Sequence, residues 1–143
     1  MLMYENGRFG ALGVSFALPD GCWLETVPEF CYERGFGAWS ADRRIYLEWQ
    51  IEDGCEDTKK ELSDLFRPGM GMHPLKDIEP VTVNGLCGHR AMYSASGEQL
   101  MEMRLTVSGD TQISLLIRSK DNDIASAIES EVVQTAINEI RPM

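Results

Sequence analysis

The sequence predicts an α+β fold: a single antiparallel sheet of about six or seven strands, with a mid-chain helix and a C-terminal helix packed on it. Between Leu86 and Ser119, apolar and polar residues alternate through three consecutive segments that short Gly-containing turns separate. Alternate side chains of a strand point to opposite faces, so this pattern is typical of an antiparallel meander with one apolar and one polar face. From Ile124 to Ile140, apolar residues recur at spacings of three and four, which indicates a helix that covers the apolar face.

The strands before the mid-chain helix are predicted from alternation and turn residues. Val14 to Leu18 is the first strand, followed by a Pro-Asp-Gly turn, and Cys22 to Val27 is a second, short one. Phe30 to Ala38 is ambiguous because Gly35 and Gly37 disfavour a strand. The clearest strand is Arg43 to Glu52, with Ile45, Leu47, Trp49 and Ile51 on its apolar side and Tyr46, Glu48, Gln50 and Glu52 on its polar side.

The mid-chain helix is predicted to begin at Thr58. Thr58 and Glu61 match a capping box, in which the two side chains bond to free backbone N–H groups. Pro68 ends the helix because it disfavours helical geometry at Arg67. The apolar stripe of the helix consists of Leu62, Leu65 and Phe66.

Turn chemistry organises the rest of the chain. Residues 67–80 contain three prolines and two glycines, which predicts a loop. Asn84-Gly85 between two apolar residues is a strong signal for a type I′ hairpin turn. No internal repeat or linker divides the sequence, so residues 1–143 are predicted to form a single domain.

The order of these features is distinctive. A Leu18-Pro19-Asp20-Gly21-Cys22-Trp23 turn precedes a long strand and a helix; a Val83-Asn84-Gly85-Leu86 turn, a meander and a helix ending near Ile140-Arg141-Pro142 follow. The sequence thereby resembles the superfamily of the photosystem II extrinsic subunit P (PsbP) and the yeast Ran-release factor of Mog type, which includes many bacterial domains. The resemblance implies a binding or assembly role on an antiparallel sheet between helices. It carries over no functional residue, because no functional motif matches.

Charge is the strongest bias in the composition. The chain has 23 Asp and Glu against 13 Lys and Arg, a net charge of −10, and no cluster of basic residues. Such a chain repels phosphate backbones, so nucleic acid is not an expected partner. The sequence contains neither an apolar run long enough for a membrane span nor a signal-peptide pattern, which predicts no membrane partner and a cytoplasmic location unless an export signal has been trimmed.

No catalytic or metal-binding signature occurs in the sequence. Phosphate-binding loops, nucleophile elbows and close-spaced Cys or His motifs are absent, so no cofactor, metal or catalytic residue is predicted. The four cysteines, Cys22, Cys31, Cys55 and Cys87, are widely spaced and are expected to be buried free thiols. One alternative stays open: Cys87 and His89 share a strand face roughly 7 Å apart and would suit a small-ligand or hydrolytic site.

Two regions are candidate binding surfaces. The first is the polar side of the sheet, where Tyr46, Glu102, Arg104 and Arg118 would form a flat recognition surface or ordinary cross-strand ion pairs. Since the strands carry Glu102, Arg104, Gln112, Ser114 and Arg118 on this side, helices are not expected to cover it fully. The second is the 67–80 loop with Met70, Met72 and His73, because flexible methionines suit adaptable interfaces. The sequence thus predicts a non-enzymatic module that binds an unknown protein partner or a second copy of itself.

Overall fold

The computed structural model describes residues 2–24 and 34–143. Within these residues the chain forms twelve strands and three α-helices. The strands are β1 (Met3–Glu5), β2 (Arg8–Ala11), β3 (Val14–Phe16), β4 (Trp23–Leu24), β5 (Gly35–Trp39), β6 (Ile45–Asp53), β7 (Met72–Pro74), β8 (Glu79–Val83), β9 (Leu86–Ala95), β10 (Glu98–Ser108), β11 (Thr111–Ser119) and β12 (Arg141–Pro142). The helices are α1 (Thr58–Ser63), α2 (Ile124–Glu129) and α3 (Glu131–Asn138), and a short 3₁₀ turn at Asp64–Phe66 continues α1.

The strands form two antiparallel sheets, so the α+β class is confirmed and the prediction of a single sheet is wrong. The large sheet has eight strands in the order β4-β5-β6-β11-β10-β9, and both β7 and β8 pair with the outer edge of β9. The small sheet has the order β1-β2-β3-β12, and it contains the strand predicted at Val14 to Leu18. Residues 25–27 of the strand predicted at Cys22 to Val27, and residues 30–33 of the ambiguous segment Phe30 to Ala38, lie outside the described residues. The described remainders of the two segments contribute to β4 and β5.

Asn-Gly and similar dipeptides make the hairpins of both sheets. Asn84 and Gly85 both have positive φ, which confirms the predicted turn between β8 and β9. Asn6-Gly7 repeats this geometry between β1 and β2, two strands that the analysis of the sequence missed. These strands have only three and four residues, too few for a clear alternation. The Asn6-Gly7 pair was the one feature of the sequence that indicated a hairpin here.

The main core lies between the apolar face of the large sheet, the small sheet and the C-terminal helices. The meander behaves as predicted: the apolar side chains of β10 and β11 are at most 2% exposed at Met101, Met103, Leu105, Ile113, Leu115 and Ile117. Trp49 of β6 stacks on Phe16 of β3 with ring centroids 5.1 Å apart, which joins the two sheets.

The C-terminal segment forms two helices where the sequence predicted one. Ser130 adopts an extended conformation between α2 and α3, and its hydroxyl donates to the Ala127 carbonyl at 2.6 Å. The apolar spacing continues across this break, so periodicity alone could not reveal it. Asp123 caps α2 by accepting from the Ser126 N–H at 3.1 Å.

Helix α1 packs on the opposite face of the large sheet, against β9 and β10. Its N-cap is Asp57, whose carboxylate accepts from the backbone N–H groups of Lys59 and Lys60, so the predicted Thr58–Glu61 capping box is wrong. Leu62 is fully buried in a second core cluster with Ala91, Tyr93 and Leu100. The polar side of the sheet is therefore partly covered.

Candidate functional site: the polar face of the large sheet

The polar face is the side of the large sheet that carries alternate residues of β6, β11, β10 and β9 and lies opposite the main core. The strand register places Tyr46 opposite Arg118, and it places Arg104 between Ser114 and His89. The four residues predicted for a sheet surface, Tyr46, Glu102, Arg104 and Arg118, do share this face. They fall into two groups with different surroundings.

The first group centres on Arg104 beneath helix α1. Its Nε donates to Oε2 of Glu102 at 2.6 Å, and its Nη1 forms an ion pair with Glu61 of α1. The Arg104 and Glu102 side chains are only 16% and 13% exposed. Gln112 donates to the Glu61 carboxylate at 2.9 Å and to the Asp53 carbonyl at 3.1 Å, which ties α1 to the sheet. Arg104 thus serves to hold the helix in place.

Glu102 occupies an unusual electrostatic position. Burial, followed by the negative charge of Glu52 and, more weakly, of Glu48, raises the pKa of Glu102 to about 7, while a hydrogen bond from Tyr93 lowers it. Contact with the Arg104 guanidinium also favours the ionised carboxylate, so a pKa of about 7 is an upper value. Burial, and next the charge of Glu102, raises the pKa of the Tyr93 hydroxyl. Tyr93 is therefore a hydrogen-bond donor at neutral pH.

The second group lies on β6 and β11, beyond the edge of α1. Tyr46 donates to Oε1 of Glu48 at 2.9 Å, and Ser114 donates to Oε1 of Glu52 at 3.3 Å. Neither Glu48 nor Glu52 forms an ion pair with any residue that the structure describes, and both are half-buried. This half of the polar face carries uncompensated negative charge.

Arg118 belongs to the rim of the second group. Its guanidinium carbon lies 5.0 Å from the centroid of the Tyr46 ring, and its Nε lies 3.4 Å from a carboxylate oxygen of Glu98. A half-exposed pair of this kind contributes little to stability. Arg118 thus pairs with Glu98 and forms no ion pair with Glu48 or Glu52.

The glycines of β5 shape this part of the face. A Cβ at Gly37 would collide with the Tyr46 ring, and a Cβ at Gly35 would collide with the Trp49 carbonyl and the Gln50 side chain. Tyr46 and Gln50 thus lie over the two positions of β5 that have no side chain on this side, and the third position, Trp39, packs on the Tyr46 ring with centroids 5.1 Å apart. The glycines that weakened the strand prediction are required by close packing within a strand.

The residues predicted in the 67–80 loop do not join the charged groups. Met72 lies in β7 and packs on the second core cluster, whereas Met70 is 55% exposed. His73 is exposed on β7 opposite Ser94, at the edge of the large sheet, and lines a cavity of about 340 Å³ with residues of the β9–β10 turn. The segment is more ordered than the sequence predicted, because β7 and the start of β8 pair with β9.

Cys87 and His89 contact different residues. Nδ1 of His89 lies 2.7 Å from the Thr58 hydroxyl of α1, whereas the Cys87 thiol lies 3.7 Å from the Thr82 hydroxyl. His89 is thus used to seat the first turn of α1, and it has no carboxylate partner in the described chain. The arrangement gives no support to hydrolytic chemistry.

The cysteines differ from expectation in burial. Cys22, Cys55 and Cys87 are free thiols, but Cys87 is exposed and the other two are half-buried. Burial raises the pKa of the Cys22 thiol. Cys31 lies outside the described residues. Among the described residues, no group of three or more His, Cys, Asp or Glu side chains is arranged to hold a metal ion.

Sequence reasoning placed Glu48, Glu52 and Gln112 on the polar side of the sheet. It missed that Thr58, Glu61 and Gln112 hold α1 on this face and that Glu48 and Glu52 have no cationic partner among the described residues. Glu61 was assigned to a helix cap, yet its carboxylate points to Arg104. One signal was present in the sequence. The positions of the polar face nearest α1 are apolar or small at Ala91, Tyr93, Leu100 and Leu116, which indicates a covered surface.

The architecture defines a PsbP-like α+β fold, and comparisons with known proteins agree. The sequence matches no family profile and no curated protein. The structure is similar to LpqN, involved in cell envelope biogenesis of Mycobacterium tuberculosis, with a TM-score of 0.61, 14% identity, and coverage of 92% of this chain and 86% of LpqN. It is also similar to cyanobacterial PsbP (CyanoP) from Synechocystis sp. PCC 6803, with a TM-score of 0.59, 13% identity, and coverage of 92% and 87%.

A third similar structure comes from Bacteroides thetaiotaomicron, with a TM-score of 0.50, 11% identity, and coverage of 91% of this chain and 45% of that protein. At these identities the likeness establishes the fold. The resemblance that the turns and the element order predicted is thereby confirmed. Within the described part of the chain, no helix has the length and apolar character needed to cross a membrane.

Proposed function

We propose that this chain is a non-enzymatic binding module and that its polar face docks a basic surface of another protein. The observation that carries the proposal is the pair of half-buried carboxylates, Glu48 and Glu52, which have no cationic partner among the described residues. Both carboxylates lie close enough to Glu102 for their negative charge to raise its pKa. A partner that brings a Lys or Arg side chain over β6 would supply the cation that the described chain does not.

The charge of the chain favours a different protein over a second copy as the partner. Two copies docked through their polar faces would bring Glu48 and Glu52 of each close together, in molecules that both carry a net charge of −10. Like charges in contact oppose association. The 67–80 segment with its exposed Met70 is the other candidate surface, and it is distinguished experimentally below.

Site-specific photocrosslinking in the native host tests the proposal. Benzoylphenylalanine placed at Gln50, between Glu48 and Glu52 on β6, is expected to give a covalent adduct with a partner protein. The variant E48Q/E52Q should lose most of this adduct, whereas the control E5Q/E129Q, with the same change of charge at exposed positions elsewhere, should keep it. Circular dichroism confirms that each variant is folded.

Two results would contradict the proposal. An adduct at Gln50 that is insensitive to E48Q/E52Q would exclude recognition by these carboxylates. An adduct from the crosslinker at Met70, with none from Gln50, would assign docking to the 67–80 segment instead.

The cellular location is also open to test. LpqN is involved in cell envelope biogenesis, so an envelope-associated role is an alternative to the cytoplasmic location predicted from the sequence. Fractionation of the native host with an antibody against the full chain decides between them.

A further inference from the structure

A groove of about 720 Å³ lies at the helix α3 side of the molecule, and none of its lining residues belongs to the polar face. Its walls are the segment that follows β3, the turn between β5 and β6, and helix α3. The volume is in the range of about 300–1,000 Å³ that ligand-binding pockets occupy in proteins. The groove is open to solvent, so a segment of another protein can enter it.

The floor of the groove is apolar. Leu18, Ile45 and Val132 are partly buried and pack against the main core, so their remaining apolar surface faces the groove. Exposed Ala41 adds to this apolar surface, and buried Pro19 lies behind it. These side chains are held by three different elements, and their positions are therefore fixed before any ligand arrives.

The rim of the groove is acidic. Asp20, Asp42, Glu131 and Glu139 all line it, and no Lys or Arg side chain does. A hydrogen bond from the Ser40 hydroxyl and then one from the Arg44 N–H lower the pKa of Asp42, which keeps that carboxylate ionised. Glu139 is engaged by Arg8 and Arg141.

Two of the rim carboxylates remain available. Asp20 and Glu131 are exposed and have no hydrogen-bond or ion-pair partner in the described chain. The nearby cations are occupied elsewhere, since Arg44 forms an ion pair with Asp121 and Arg43 lies over the Trp23 ring. The charges of Asp20 and Glu131 are therefore not neutralised by any residue that the structure describes.

We propose that this groove docks an extended basic segment of a partner protein, with an aliphatic side chain on the apolar floor and Lys or Arg side chains at Asp20 and Glu131. The apolar floor supplies burial and the acidic rim selects the sign of the charge. This inference does not depend on the polar face, and it gives the chain a second acidic docking surface built from different elements.

A nine-residue fluorescent peptide of alternating Lys and Leu is the test probe, and a peptide with Glu in place of each Lys is its control. We expect saturable binding of the Lys peptide to the full chain by fluorescence anisotropy, and none of the Glu peptide. Each solvent-exposed ion pair contributes modestly to the binding free energy. Loss of the pairs at both positions in the variant D20K/E131K should therefore weaken binding about tenfold. The variant D77K/D110K, with the same change of charge at exposed positions outside the groove, should change binding less than about twofold.

The location of the peptide is measured by amide chemical shifts of the labelled chain, which should move most at Leu18, Ala41 and Val132. The E48Q/E52Q variant should leave the affinity unchanged. Equal weakening by D20K/E131K and D77K/D110K would show a general charge effect and overturn the proposal. So would the absence of saturable binding, or shifts confined to the polar face. Circular dichroism and thermal melting confirm that the variants remain folded.

Discussion

Replacing Glu102 with Gln is expected to make the chain progressively more stable than the parent protein as the pH rises from about 4.5 to about 7. Glu102 is buried next to Glu52 and Glu48, and these surroundings disfavour its ionised form. In the unfolded chain the same carboxyl titrates near 4.5. Between the two values the folded chain binds more protons than the unfolded chain, so ionisation of Glu102 lowers the free energy of unfolding as the pH rises.

The magnitude follows from the two pKa values. The step from 4.5 to about 7 corresponds to about 3 kcal/mol at 1.36 kcal/mol per pKa unit. This is an upper limit, because the Arg104 guanidinium 2.6 Å away stabilises the carboxylate. The neutral Gln amide removes the titration and still offers an oxygen to Arg104. Its advantage over Glu should be absent near pH 4.5 and fully developed above pH 7.

Urea unfolding followed by tryptophan fluorescence measures the effect, since Trp49 is completely buried. The parent, E102Q and the control E98Q are compared at several pH values across this range. Glu98 is half-exposed and forms an ion pair with Arg118 at the rim of the face. The free energy of unfolding of E98Q should therefore change with pH in the same way as that of the parent. A free-energy difference between E102Q and the parent that stays constant with pH would refute the reasoning, and it would mean that Arg104 fully compensates the burial.

Three further substitutions test the packing of the polar face. Leu62→Ala should lower the free energy of unfolding by about 2–5 kcal/mol in urea titrations, because it empties the centre of the second core cluster. Asp57→Ala should lower the melting temperature through a loss of about 1 kcal/mol, since two backbone N–H groups of α1 lose their acceptor. Gly37→Ala should cost about 1–3 kcal/mol because its Cβ meets the Tyr46 ring, whereas Gly109→Ala, where a Cβ meets open space, should be nearly neutral in the same melts.

The sequence predicted those parts of the fold that depend on residues close together in the chain. The alternation in β6, β10 and β11 determines which face is buried, and Asn84-Gly85 determines a hairpin regardless of its surroundings. The break at Ser130 and the small sheet were missed for the opposite reason. The apolar stripe runs through the break without interruption, and the three strands that accompany β3 in the small sheet, β1, β2 and β12, are too short to show a period.

The candidate site was predicted less completely because it depends on contacts between residues far apart in sequence. Asp57 and Thr58 are both good N-cap residues, and local sequence does not rank them. His89, which is remote in sequence, occupies the Thr58 hydroxyl and leaves Asp57 as the cap. Similarly, Glu61 becomes a partner of Arg104 only once α1 has docked on the sheet.

The carboxylates of the polar face fall into two groups, those that contact Arg104 under helix α1 and those on β6 that do not. The carboxylates beneath the helix, Glu61 and Glu102, contact Arg104, and their removal would change stability first. Glu48 and Glu52, beyond the helix, accept only neutral hydroxyl hydrogen bonds from within the described chain. Half-buried carboxylates without a cation add nothing to folding, since their desolvation is not offset by an ion pair. The carboxylates on β6 are therefore not used by the described fold, which is what the proposed docking of a basic partner requires.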